Sequence, residues 1–141
     1  SPKHFKEYIF PYLKELVDVV HKRGGWFMKH CDGWVIPIID QIIAAGVDAL
    51  NPLEKQAGME LKFLKENYGD KLCLSGNVDC GHTLEMGKEA ETARETLECI
   101  QHGAPGGGYI LSTSNSIHAW VKPQNLKAMF ETAKKYGWYP H

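Results

Sequence analysis

Four times along this chain a short apolar run stops at a polar cluster and gives way to a helix-like stretch. The runs are residues 26–28 before Lys29-His30-Cys31-Asp32-Gly33, 47–50 before Asn51-Pro52, 72–74 before Ser75-Gly76-Asn77-Val78-Asp79, and 109–111 before Ser112-Thr113-Ser114-Asn115. They are non-alternating, the pattern of strands covered on both faces. Helical connections between them predict parallel pairing with right-handed crossovers. The repeat therefore predicts an α/β fold of parallel (β/α) units with chemistry at the C-terminal strand ends. A closed eight-stranded barrel takes about 250 residues. This chain has 141, one domain over residues 1–141 and about half of such a TIM barrel. It begins at Ser1 rather than Met, as expected of a piece of a longer protein.

Punctuation along the chain sets the expected helices. Ser1-Pro2 reads as a capped helix start. Pro11 predicts a break, then a second helix over about 11–23 on which Leu13, Leu16, Val17, Val20 and His21 form a stripe at helical spacing. Residues 34–45 read as a helix that buries Val35, Ile38, Ile39, Ile42 and Ile43, closed by Gly46. Further helices are expected over 59–67, near 83–86, over 89–102, and from Pro123 to about 135. The run 103–108 has the glycine content of a phosphate loop but precedes a strand instead of opening a helix, so it reads as a flexible connection.

Composition excludes several classes. The net charge is −1 and the 16 basic residues form no stripe, which argues against nucleic acid as a partner. No apolar run reaches the roughly 18 residues of a membrane span. With no signal peptide, a cytoplasmic location is expected. Cys31, Cys73, Cys80 and Cys99 show no CxxC spacing, which suits free thiols or metal ligands in a reducing compartment. Cys73 and Cys99 read as core packing.

The strand-end clusters hold the candidate chemistry. Alternation puts His30 and Asp32 on one side and Cys31 on the other, which argues against a simple His30–Cys31 chelate. His30 and Asp32 are candidates for catalysis or ligation, and Cys31 for a ligand or for packing. Asn51 stands at the second strand end, and Glu54 reads equally as a solvated loop charge or a site residue. Asn77 and Asp79 share a face if the third strand persists; Asp79 reads equally as a helix cap. Cys80 and His82 add possible metal ligands. Asn115 belongs to a cluster that can orient a ligand without charge, and His118 is a base or an ordinary loop histidine. His4, His21, His102 and His141 read as surface residues. The four tryptophans, Trp26, Trp34, Trp120 and Trp138, read as packing, with Trp34 also placed to wall a pocket.

Several ordered motifs together carry a resemblance: Pro11-Tyr12-Leu13, His30-Cys31-Asp32-Gly33, Gly46-Val47-Asp48-Ala49-Leu50-Asn51-Pro52, Ala57-Gly58-Met59, Tyr68-Gly69-Asp70-Lys71-Leu72, Gly76-Asn77-Val78-Asp79, Gly106-Gly107-Gly108-Tyr109, Pro123-Gln124-Asn125 and Tyr136-Gly137. Over essentially its whole length the chain resembles the C-terminal portion of the uroporphyrinogen decarboxylase superfamily, which includes corrinoid-dependent methyltransferases. The resemblance implies a (β/α)8 barrel. The zinc methyltransferases of that family use His-x-Cys-Gly at the first cluster and a later Cys. Here the first cluster is His30-Cys31-Asp32-Gly33 and Asn115 stands at the late position, where decarboxylases carry a histidine. The chain looks closer to the methyltransferase branch.

That branch implies methyl transfer to a thiol or similar acceptor. A methylcorrinoid on a partner protein would be the donor, and zinc would sit on His30, Cys31 and Cys80. The alternative is metal-free decarboxylation of an acidic tetrapyrrole. Either way, the expected catalytic set is His30, Asp32, Asn77, Asp79, Asn115 and His118, acting on a small-molecule substrate. A third reading is an inactive assembly module. Two open sheet edges predict a homo-oligomer or pairing with a missing N-terminal half.

Overall fold

The computed structural model describes residues 1–138, so His141 lies outside the described residues. Four strands, β1 (Met28–His30), β2 (Ala49–Asn51), β3 (Cys73–Val78) and β4 (Tyr109–Thr113), form one sheet in chain order, every neighbour parallel. The fold is α/β, a partial (β/α) barrel.

Each strand runs further toward its polar end than the apolar run alone predicts. β1 is the clearest case. Phe27 precedes the ladder because its amide donates to the Asp48 carboxylate at 2.7 Å. Regular pairing starts at Met28 opposite Ala49 and continues to His30 opposite Asn51.

The register sorts the side chains onto two faces. Lys29, Leu50, Leu74 and Tyr109 are level with one another and point toward the helices. There Leu50 and Leu74 pack with Val17 of α2 (Phe10–His21), Ile39 and Ile42 of α3 (Ile39–Ala44), Leu64 of α4 (Leu61–Tyr68), Cys99 of α5 (Glu89–Gly103) and Met129 of α6 (Pro123–Tyr136). Each fully buried aliphatic side chain contributes about 1.5–3 kcal/mol of transfer free energy. The other face carries Met28, Ala49, Cys73 and Ile110, then His30, Asn51, Ser75 and Ser112. Among the described residues no helix covers it, and Met28 and Ile110 are nearly half exposed. Burial on both faces is thus met on one only; in a closed barrel the opposite strands cover the second.

Several local expectations change. Pro11 does not separate two helices. The chain passes from α1 (Pro2–His4) through a wide turn with π spacing (Phe5–Ile9) into α2, and Pro11 sits in the first turn of α2, where its missing amide costs nothing. Leu16 points outward at 58% exposure, leaving Leu13 and Val17 as the buried stripe. Residues 34–45 split into a 3-10 turn (Ile36–Ile38) around Pro37 and the shorter α3. The helical piece expected near 83–86 is a wide turn over Cys80–Leu84, begun by the Asp79 cap. All four tryptophans are more than 60% exposed, because each lies in a segment flanking the paired elements rather than in the core. In the glycine-rich connection, Gly106, Gly107 and Gly108 all adopt left-handed φ. The Gly107 carbonyl there accepts from Lys65, the opposite polarity to an anion cradle.

Candidate active site

Chemistry gathers at the C-terminal strand ends. At the end of β1, His30 Nε2 lies 3.2 Å from Asp32 Oδ1. The ring's other nitrogen, Nδ1, lies 3.0 Å from Asn51 Oδ1 at the end of β2. Asn51 Nδ2 donates to Ser75 Oγ of β3 at 3.2 Å, and Ser75 Oγ is 3.2 Å from Ser112 Oγ of β4. Polar contacts therefore run across all four strands on the uncovered face.

A second group ties the loops together. Asn115, after β4, donates through Nδ2 to Asp32 Oδ1 and Glu54 Oε1, both at 3.2 Å. The Gly33 amide donates to the other Glu54 oxygen. Three loops that are 61 and 83 residues apart in sequence are joined through one side-chain amide.

Glu54, Asp79, Cys80, Ser114, Asn115 and His118 line a cleft of about 670 Å³ beside this group. A second cleft, about 700 Å³, lies at the other end of the strands, walled by Trp26, Phe27, Met28, Cys73 and Ile110. It is mainly apolar, and the Asp48 carboxylate on its wall is taken up by His21 Nε2 at 2.7 Å and the Phe27 amide at 2.7 Å. The polar cleft is the candidate site.

The expected site residues divide. His30, Asp32 and Asn115 are in direct contact, and Asp79 and His118 share the cleft wall with Asn115. His118 Nε2 lies 3.7 Å from Glu85 Oε2. Asn77 is 3% exposed, and its Nδ2 donates to the carbonyls of Leu53 at 2.7 Å and Met59 at 2.9 Å. It clamps the loop that carries Glu54. Asp79 is the cap: Oδ1 accepts from the Gly81 and His82 amides, and Oδ2 accepts from Gln56 at 2.6 Å. Its own amide donates to the buried Glu95 of α5.

The three candidate zinc ligands are not gathered. Cys31 packs against the core. Cys80 Sγ donates to the Ser116 carbonyl at 3.3 Å. Burial pushes the Cys80 thiol up, the His118 backbone partly offsets this, and the Asp79 and Glu85 charges add to the rise. A thiolate, the form that binds metal, is disfavoured there. His82 does not line the cleft. Among the described residues no three His, Cys, Asp or Glu side chains converge as a metal-ligand group. As placed, the three do not fit zinc, and no step here is built on one.

Asn51, Ser75 and Ser112 stand at the polar strand ends of the sequence but, being small and uncharged, were outside the expected catalytic set. Their signal is positional: they stand level with or just beyond His30 on adjacent strands, which only the register reveals.

No helix of the described residues is long and apolar enough to cross a membrane. The profile of the uroporphyrinogen decarboxylase (URO-D) family matches residues 1–136. The chain is 29% identical over 144 residues to the uroporphyrinogen decarboxylase of Chlorobium luteolum, covering 96% of this chain and 38% of that protein. It is 27% identical over 143 residues to the chloroplastic uroporphyrinogen decarboxylase of Zea mays, covering 95% and 33%. A solved structure described as a methyltransferase from Methanosarcina mazei superposes with a TM-score of 0.82 at 24% identity, over 98% of this chain and 38% of that one. This last likeness is one of fold. The chain thus spans well under half the length of these relatives.

Proposed function

Because the chain belongs to the uroporphyrinogen decarboxylase family, we propose that it supplies the C-terminal wall of a (β/α) active site that transfers a methyl group to a thiol or similar acceptor. The observation that carries this reading is the charge of the cleft. Glu54 and Asp79 line it, Asp32 joins it through Asn115, and no Lys or Arg of the described residues stands on its wall. A substrate carboxylate about 5 Å from one of these would meet about 3 kcal/mol of repulsion at an effective dielectric of roughly 20. An acidic tetrapyrrole is poorly received on such a wall; a neutral thiol is not.

A methylated corrinoid on a separate protein would be the methyl donor and would supply an electrophilic methyl group. His30 Nε2 takes the proton of the acceptor thiol, and Asp32, 3.2 Å away, holds the resulting imidazolium. The thiolate sulfur would take up the methyl carbon, with the electron pair of the broken bond left on the donor. Asn115 keeps Asp32 and Glu54 in place for this. The remaining barrel strands, from the rest of a longer polypeptide, pair with the open edges of β1 and β4.

The names of the curated relatives favour a second reading, decarboxylation of an acidic tetrapyrrole. One experiment separates the two. The full-length protein is given methylcobalamin with a panel of thiols, and separately uroporphyrinogen. Loss of methylcobalamin with methyl thioether formed, reduced about 10²–10⁴-fold in His30→Ala, is the expected result. Carbon dioxide released from uroporphyrinogen, with no methyl transfer, overturns the proposal.

A further inference from the structure

We infer that the main-chain carbonyls of Met86 and Gly87 form a built-in site for a primary ammonium group, and that Lys122, by filling it, locks the turn after β3 and the loop after β4 into a single wall of the polar cleft. Lys122 stands where a lysine is out of place. It is the N-cap of α6, and no side chain caps that helix. A cation is unfavourable at the positive end of a helix, and lysine offers the helix amides no acceptor. The residue is half-buried, and among the described residues no carboxylate pairs with it. Its partners are two consecutive carbonyls: Nζ donates to Met86 at 3.0 Å and to Gly87 at 3.1 Å.

Those carbonyls are held in place by the fold. Asn125 of α6 is 1% exposed, and its Nδ2 donates to the carbonyls of Leu84 and Gly87, both at 3.0 Å, and of Thr83 at 3.3 Å. The Met86 and Gly87 amides both donate to the His82 carbonyl at 2.9 Å. A Cβ at Gly87 would stand 2.5 Å from the Thr83 carbonyl oxygen, so the turn closes tightly on itself. Two fixed acceptors are thus aimed at one point, which suits a compact ammonium with its three N–H donors.

The site joins the two segments that build one side of the cleft. Met86 and Gly87 end the turn that begins at Asp79 and Cys80, and Lys122 ends the loop that carries Asn115 and His118. Elsewhere along this seam the Cys80 amide donates to Ser114 Oγ at 3.0 Å, and the Lys122 amide to the Leu84 carbonyl at 3.2 Å. The ammonium closes the far end, beyond the point where Glu85 lies 3.7 Å from His118. Lys122 bonds to no lining residue of the cleft and is a positioning residue. That role rests on reading the cleft as the active site; the ammonium site itself does not.

The test is Lys122→Ala in the full-length protein, with and without n-propylammonium, which supplies the Cγ, Cδ, Cε and Nζ that the substitution removes. Hydrogen exchange is read by mass spectrometry over residues 82–88 and 114–122. The loss of two charge-assisted bonds should speed exchange in both segments about 10–100-fold. Propylammonium should restore the wild-type rates, and tetramethylammonium, a cation without N–H, should not. Wild-type exchange in Lys122→Ala, restoration by tetramethylammonium, or fast exchange that propylammonium leaves fast overturns the site. Faster exchange over 82–88 alone overturns the single wall. If Lys122→Ala does not fold, Lys122→Met, a neutral side chain of similar length, decides: exchange as in wild type overturns the site. In methyl transfer, Lys122→Ala should raise KM for the acceptor thiol with kcat held, because the wall moves and His30 does not. A fall in kcat alone overturns the positioning role. Absence of methyl transfer in wild type, with exchange as stated, would overturn the proposed function and leave the ammonium site and the joined wall standing.

Discussion

Replacing Asn77 tests whether it is a clamp or a substrate ligand. Its Nδ2 satisfies the carbonyls of Leu53 and Met59, and both of those residues are fully buried. Asn77→Ala strands two buried acceptors, each costing about 1–3 kcal/mol. The sum, about 2–6 kcal/mol, is a large share of the roughly 5–15 kcal/mol that holds a domain together. Equilibrium urea unfolding should show a lower midpoint at nearly unchanged slope. Asn77→Asp should be worse than Ala at neutral pH, because it aims a carboxylate at two carbonyl oxygens. The new carboxyl would have a raised pKa in the folded state. Its penalty therefore shrinks as pH falls through that value, when the carboxyl gains a proton to donate. A stability within about 0.5 kcal/mol of wild type for Asn77→Ala, combined with lost turnover, would refute the reasoning and return Asn77 to the substrate.

Three further outcomes are expected. Burial raises the Asp48 carboxyl, but the Phe27 amide and the His21 hydrogen bond and charge together hold it below its ordinary value. Its contribution is present above the unfolded carboxylate value and is lost as pH falls through the lower folded one, so the urea midpoint of wild type and Asp48→Asn should converge at low pH. Burial, with the charge of Glu95 adding, pushes the Cys99 thiol up to about 12. Mass spectrometry after alkylation at about pH 8 should find Cys99 unmodified until the protein unfolds. A Cβ at Gly103 would stand 2.6 Å from the Tyr109 ring, whose hydroxyl donates to the Gly76 carbonyl at 2.6 Å. Gly103→Ala should therefore cost about 1–3 kcal/mol by overpacking, read as a lower Tm by circular dichroism.

The architecture was largely legible because apolar runs and helix punctuation are local signals. The runs at 47–50, 72–74 and 109–111 each fall in or against an observed strand, in the expected order and sense. The strand ends were less legible. His30, Asn51, Ser75 and Ser112 bond to one another across the sheet, so polar residues extend the strands past the point where hydropathy stops. At the site, alternation correctly placed His30 with Asp32 and turned Cys31 away. Asn77 and Asp79 show the limit of such reasoning. What decides their work is a loop folding back from Leu53 to Met59, a nonlocal event that no spacing announces. The tryptophans mislead for another reason. Large rings default to packing, yet a partial barrel leaves its flanking segments without a second layer.

The row of polar contacts across the four strands also gauges their alignment. A parallel strand that slips by one residue carries every side chain to the opposite face. Shifting β3 by one position would replace Ser75 with Leu74 or Gly76, and neither side chain can relay a hydrogen bond. The same slip would carry Leu74 off the helix-covered face and bring Cys73 or Ser75 onto it, so a misaligned sheet loses its core packing and its polar contacts together. One register thus secures both the core and the row of polar side chains at the strand ends.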